Sequence, residues 1–438
     1  MSKKDKNQKL YEQAIKLIPG GVMLFSKRPE NHLPDKWPTY YKKAKGAYVW
    51  DLNNNKYLDM YFGVGQSVLG YANPYVDSAV NKSNRLGNIT SLNSFYEVKL
   101  AKKLIEIHKW AGFAKFAKTG GEASAIGIRI ARSINRNEKV AICGYHGWHD
   151  WYLAANLKSK KNLNSHLLEG LESIGVPKSL KNTISTFRMN SFNDLEKIKK
   201  IKKLAAIIME VQREKEPNLK FLKEIRKFCN EKKIILIFDE CTSGFRETFG
   251  GIHKNYKIIP DIALFGKCLG NGYPITAILG KKKYLKKASR SFISSTFWTE
   301  NSGFVAALKT IEIMKKKKTF IKIKKTGKQV KKIWEKLSQK YNLPINIYGL
   351  DSIPSFKILS RDSLKYKTFI TQEMLKHKIL ATNTIYISIV HRVEFLQKYE
   401  KVLDNIFSKI KKCEKKQLSI NNILKNKVST SDFNRLTG

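Results

Sequence analysis

Short apolar runs separated by amphipathic stretches dominate the middle of this chain. The runs Phe113–Ala117, Lys139–Cys143, 204–209, 234–238, Ile262–Phe265 and 276–279 are too short for helices and read as buried strands. Between them, apolar positions recur at helical spacing over 96–108, 122–132 and Leu219–Glu231. Strands joined by helical crossovers predict an α/β fold whose sheet is mainly parallel and covered on both faces. In such sheets the functional residues gather at the carboxyl ends of the strands.

The flanks follow a different pattern. A short helix is expected over 8–17, then a proline-containing loop, then two strand-like stretches around the turn at 53–55. After about residue 305 the chain turns helix-rich, with a long basic helix through 337 and a final helix near 396–411. This predicts an N-terminal arm and small-domain segment over 1–70, a large α/β domain over 71–310 and a smaller α+β C-terminal domain over 311–438. The last fifteen or so residues are expected to be loose.

Composition changes the picture only at the edges. With 438 residues, 42% of them hydrophobic, the chain can build more than one core. A net charge of +47 raises the alternative of a non-catalytic protein that binds nucleic acid. The lysines, however, are spread along nearly the whole chain and no nucleic-acid motif accompanies them, so they read as solvated faces. Neither nucleic acid nor a membrane is expected as a partner, since no run of about 18 apolar residues occurs. Five scattered cysteines without a C-x-x-C pair fit a reducing compartment. The start M-S-K-K-D-K-N-Q-K lacks the apolar core of a secretory signal, so a cytoplasmic location is expected.

Candidate chemistry sits at the predicted strand ends. Lys267 closes D-I-A-L-F-G-K and opens C-L-G-N-G-Y-P. A lysine delivered from a buried strand into a glycine-rich loop can lose solvent and become a nucleophilic amine. The preceding apolar run ends in Asp239. An amine and a carboxylate on adjacent strand ends match what pyridoxal 5′-phosphate requires: a Schiff-base lysine and an acid for the ring nitrogen. Among 83 basic residues, a lysine at one strand end also arises by chance, and an aspartate there also serves as a turn or cap. The turn at Thr119, Gly120 and Gly121 opens a helix and suits a phosphate. Tyr145 and His146 follow another strand, with Tyr145 suited to stacking on a planar ring. Glu210 ends a further apolar run and needs a partner or a task. His146 and His149 are spaced i, i+3, but without a third ligand no metal is expected. The segment S-S-T-F-W-T-E-N (294–301) reads as a helix cap or a second phosphate contact.

Taken in order, the chain resembles the class III aminotransferases, a family of fold-type-I pyridoxal phosphate enzymes. Within it, the chain is most similar to the glutamate-1-semialdehyde 2,1-aminomutases. The resemblance rests on L-Y-E-Q-A-I-K-L-I-P-G-G-V, G-A-Y-V-W-D, T-G-G-E-A, Y-H-G, F-D-E-C-T-S-G-F-R and F-G-K-C-L-G-N-G-Y-P. It implies that Lys267 forms the Schiff base, that Asp239 keeps the ring nitrogen protonated, and that Thr119, Gly120 and Gly121 form the phosphate turn. It further implies that Tyr145 stacks on the ring beside His146, with Glu210 and Thr242 close by. By the same resemblance Thr296 reaches the phosphate of a neighbouring subunit, so a homodimer with shared sites is expected.

The departures from the family bear on the substrate. Gly121 stands where a threonine is usual, so one hydroxyl contact is lost and a backbone amide must serve. Thr242 places a small hydroxyl residue beside the ring. Lys27 aligns with the aminomutase arginine, next to Arg28, and a C-terminal acidic residue is missing. A segment over 157–181 is a candidate loop over the site. A lysine matches a planar carboxylate less well than an arginine fork. The expectation is therefore transamination from an amino donor to an aldehyde or keto group of a small metabolite or sugar, with intramolecular aminomutase chemistry as the alternative.

Overall fold

The computed structural model describes residues 5–164, 166 and 170–430. The chain divides into two units, residues 1–73 with 322–438, and residues 74–321. The first unit opens with helix Lys6–Leu17, followed by the antiparallel strands β1 (Tyr41–Lys45), β2 (Tyr48–Asp51) and β3 (Lys56–Asp59). The second unit holds β4 (Phe113–Ala117), β5 (Lys139–Cys143), β6 (Ile184–Thr186), β7 (Leu204–Glu210), β8 (Ile235–Glu240), β9 (Ile262–Phe265) and β10 (Thr276–Gly280). The first unit then resumes with the hairpin β11 (Ile345–Tyr348) and β12 (Ser355–Ile358), and with β13 (Ile379–Leu380), which pairs in parallel with β3.

The seven strands of the second unit lie in the order β4-β10-β9-β8-β7-β5-β6. Strands β6, β5, β7, β8 and β9 run parallel, while β10 is antiparallel to both β9 and β4. Every residue of β7 and β8 is buried, which explains why they read as unbroken apolar runs and not as alternating ones. Each fully buried Ile or Leu there contributes about 1.5–3 kcal/mol relative to exposure. Helix Gly120–Asn135 packs against this sheet through Ile126, Ile128, Ile130 and Ala131.

In the first unit, helices Ser363–Lys376 and Val393–Glu414 bury their apolar faces, and Trp334 Nε1 donates to the Tyr399 hydroxyl at 2.9 Å. The far C-terminus differs from expectation. Of the segment expected to be loose, 424–430 is held: Ser429 is buried, its N–H donates to Thr368 Oγ1, and Thr430 N donates to Glu30 O. Residues 431–438 lie outside the described residues, as do 165 and 167–169 of the candidate loop over 157–181.

Candidate active site

Strand register assembles the centre. Asp239 of β8 is the direct partner of Glu210 of β7, so both carboxylates leave the same end of the sheet on one face. The next strand, β9, delivers Gly266 and Lys267. Lys267 has φ +42°, a left-handed conformation that a non-glycine residue adopts only at a cost of about 1–2 kcal/mol. Strain of this kind collects at functional sites. The Lys267 ammonium donates to Thr242 Oγ1 at 3.1 Å. Burial, helped by the charges of Arg213 and Arg246, lowers the lysine pKa to about 8, against the opposing pull of Glu210.

Asp239 is held by His146 and Cys241. His146 Nδ1 lies 2.8 Å from its Oδ2, and Cys241 N donates to its Oδ1 at 3.0 Å. An ionised carboxylate only accepts, so His146 Nδ1 carries the proton. Burial alone would raise the Asp239 pKa, but the His146 bond and charge and the Cys241 N–H together bring it below the ordinary value. The carboxylate therefore stays charged.

Glu210 has found its partner. Its Oε2 accepts from Tyr145 N at 3.1 Å, and both its oxygens lie 3.3 Å from Arg213 Nη1. Tyr145 is half-buried after β5, its ring meeting Tyr152 edge-on at 5.8 Å.

The glycine turn lies beside this centre. A Cβ on Gly120 would sit 3.5 Å from Cys241 Sγ, and one on Gly266 at the same distance from the same sulfur. Cys241 thus fills the space between the turn and the lysine loop. Thr119 is the N-cap of helix Gly120–Asn135 in a full capping box with Glu122.

Thr296 is exposed on a short turn, and the cap of the following helix Asn301–Lys317 is Glu300, with none of the preceding hydroxyls. Lys27 and Arg28 belong to the other unit, where the Arg28 guanidinium is buried over the Phe25 ring at 4.9 Å. Sequence reasoning missed Arg213. Its signal was a basic residue three positions past a strand-end carboxylate, on a segment with no periodicity to orient it.

These residues fit pyridoxal phosphate: a primary amine with a lowered pKa, a charged buried carboxylate with a histidine behind it, and a Gly-Gly helix start for a phosphate. His146 Nε2, buried without a partner among the described residues, is consistent with a site completed by a bound group.

A family model, Aminotransferase class-III, matches residues 31–417. The chain is 32% identical over 390 residues to a 3-aminobutyryl-CoA aminotransferase of Cloacimonas acidaminovorans, covering 85% of this chain and 89% of that one. It is 30% identical to a glutamate-1-semialdehyde 2,1-aminomutase of Methanosphaera stadtmanae, covering 88% and 92%. Its fold matches the FumI protein of Sphingopyxis sp. MTA144 with a TM-score of 0.85, at 23% identity and covering 96% of this chain and 99% of that one. An omega-transaminase from Sphaerobacter thermophilus gives 0.81 at 20% identity, covering 93% and 98%. Strand-end amine and carboxylate, glycine turn and matched length lead to one conclusion: the chain belongs to the class III aminotransferases, which work with pyridoxal phosphate.

Proposed function

We propose that the protein passes an amino group from an external carboxylate-bearing donor to the aldehyde or keto carbon of a small metabolite or sugar, at a site centred on Lys267. The observation that carries this reading is the Glu210–Arg213 pair. Arg213 reaches Glu210 through one nitrogen at 3.3 Å, and its side chain stays 30% exposed. Such a contact is weaker than a bidentate fork. A partly exposed arginine beside Lys267 can meet a substrate carboxylate and pair with Glu210 when the acceptor lacks one. That suits two different substrates taking turns in one cavity, whereas an aminomutase needs a permanent grip on one. The relative named as a 3-aminobutyryl-CoA aminotransferase supports transfer between molecules. Lys27 and Arg28, in the other unit, are left out of this assignment.

Pyridoxal phosphate, when bound, supplies the electron sink for breaking the bond to hydrogen at the donor's amino-bearing carbon. Lys267 would hold the cofactor covalently and, once displaced by the donor's amino group, would have a free Nζ placed to take the proton from that carbon and, in the second half of the reaction, to deliver one to the acceptor's former carbonyl carbon. A pKa near 8 places its proton transfer close to neutral pH. Thr242 holds the amine in place, and Asp239 would keep the ring nitrogen protonated with His146 orienting it. Tyr145 would cover the ring, and Thr119, Gly120 and Gly121 would receive the phosphate.

Assembly as a homodimer is part of the proposal. Thr296 lies exposed between Phe292 and Phe297, themselves 88% and 68% exposed, an apolar surface that a second copy would cover. Free cysteines at all five positions fit a cytoplasmic location, and among the described residues no helix is long and apolar enough to cross a membrane.

The central test is Lys267→Ala, expected to abolish both turnover and the borohydride-quenched visible band. A variant that keeps both would remove Lys267 from its role. For the reaction type, donor alone should release a keto acid stoichiometrically with sites. Rapid conversion of glutamate-1-semialdehyde to 5-aminolevulinate without any donor would instead establish the aminomutase, the reading favoured by the Methanosphaera relative.

A further inference from the structure

The glycine turn is short of donors for a phosphate. The Thr119 hydroxyl is committed to its helix: it accepts from Glu122 N at 3.3 Å and donates to Glu122 Oε2 at 3.0 Å. The next hydroxyl is absent, because position 121 is glycine. Backbone geometry does not demand that glycine, which lies in helix Gly120–Asn135 and is not among the positive-φ glycines. A neighbour demands it. A Cβ on Gly121 would lie 2.8 Å from His149 Cε1 and 3.0 Å from His149 Nδ1. The imidazole occupies the place of the missing side chain. Gly147, at φ +104°, completes the arrangement, since a Cβ there would come within 2.7 Å of Gly121 Cα.

The same ring carries an unanswered polar atom. His149 Nδ1 is buried and has no hydrogen-bond partner among the described residues. Trp148 stacks on the ring at 4.7 Å. The nearby carboxylate of Glu122 does not answer it: its Oε2 accepts from Thr119, and its Oε1 accepts from Trp298 Nε1 at 3.0 Å. Burial lowers the His149 pKa, with Glu122 and Asp150 pulling the other way. Leaving a buried donor unpaired is costly, so a partner from outside the chain is expected.

Building on the reading of Thr119–Gly121 as the phosphate turn, we infer that His149 takes over the phosphate contact that Gly121 gives up. Its Nδ1–H donates to a phosphate oxygen of bound pyridoxal phosphate. Gly121 and His149 then form an exchange pair: either a hydroxyl at 121 or an imidazole at 149, but not both in one space.

The test compares apoprotein binding of pyridoxal phosphate with that of pyridoxal, which lacks the phosphate, together with the ³¹P resonance of the bound cofactor. His149→Phe keeps a ring but loses the donor. It should weaken pyridoxal phosphate about ten- to a hundredfold, the loss of one hydrogen bond to a charged group. Pyridoxal binding should stay within about twofold, and the ³¹P resonance should move. His149→Asn, which keeps an N–H, should recover part of the loss. The double change His149→Ala with Gly121→Thr should recover affinity, while Gly121→Thr alone should not. An unchanged affinity and resonance in His149→Phe would overturn the inference, and so would an equal loss for both ligands, which would mark a merely structural ring. If the wild-type apoprotein showed no preference for the phosphorylated ligand, the phosphate turn itself would be misassigned.

Discussion

Asp239 and Glu240 are consecutive residues of β8, each a buried carboxylate bonded to a histidine, and they point to opposite faces of the sheet. Glu240 is saturated. It accepts from Ile252 N, His253 N, His253 Nδ1 and Ser243 Oγ, and His253 in turn accepts from Trp110 Nε1 at 3.1 Å. Every polar atom of that pair is answered within the protein, and the result pins the loop between Cys241 and His253. Asp239 is held by His146 and by the backbone and thiol of Cys241, but its His146 keeps a buried Nε2 without a partner among the described residues. Two similar pairs one residue apart thus differ in completeness. On the proposed reading the closed network is scaffold and the open one is where the cofactor would bind.

Asp239→Asn should give the largest effect. The protein should fold and load cofactor, but turnover should fall about 100- to 1000-fold with the loss of a preorganised charge. A normal rate at full cofactor content would make both pairs scaffold and end the contrast.

Glu240→Gln should act on stability instead. Losing charge-assisted bonds in a buried network should cost about 3–5 kcal/mol in denaturant unfolding, with turnover per loaded site within a few-fold of wild type. Acid sharpens the difference. Burial would raise the Glu240 pKa, but His253 and the Ile252 and His253 amides bring it below 4.5. A depressed carboxylate gives stability that is present above its unfolded value and lost as pH falls. The acid limb of the wild-type stability curve should therefore flatten in Glu240→Gln.

Arg213→Gln probes the open side through pH. Arg213 helps to depress the Lys267 pKa, after burial, and it offsets Glu210, which raises it. Without the guanidinium, the midpoint for free amine should climb from about 8 toward the ordinary 10.5. Cofactor capture by apoprotein, followed against pH, should shift alkaline to match. An unmoved midpoint would place Arg213 outside the field of the lysine.

The smallest effect is expected from Thr119→Ala. Loss of the capping box should cost about 1 kcal/mol of stability. With its hydroxyl committed to Glu122, cofactor affinity should change less than in His149→Phe. A larger loss of affinity than of stability would return the phosphate contact to Thr119.

Periodicity marked the buried strands well. The bounds of β4, β5 and β9, and of helix Leu219–Glu231, match the apolar runs and amphipathic spacing residue for residue. Strands β7 and β8 run one and two residues further than their apolar runs, because Glu210, Asp239 and Glu240 continue the ladder with polar side chains. Among the missed elements are β1, whose side chains are mostly exposed, β6 and β13, three and two residues long, the hairpin β11–β12, and helices Pro74–Asn84, Phe192–Lys199 and Ser363–Lys376. The antiparallel course of β10 had no local signature either, since direction is set by the chain's path between strands.

The sequence by itself determined which residues arrive at strand ends: Glu210, Asp239 and Lys267 each follow an apolar run that has to be buried, and burial fixes where the run stops. It also determined the Thr-Gly-Gly helix start, because capping is local chemistry. The tertiary structure alone decided what those groups meet. His146 turns to Asp239 across 93 positions of chain, Lys267 finds Thr242 across 25, and His149 settles against Gly121 from another strand's loop. Each of these contacts joins segments whose spacing carries no pattern. They form because β5, β7, β8 and β9 lie side by side in the sheet, and the unpaired donors and acceptors at their ends can be answered only by what the neighbouring strand, or a ligand, brings.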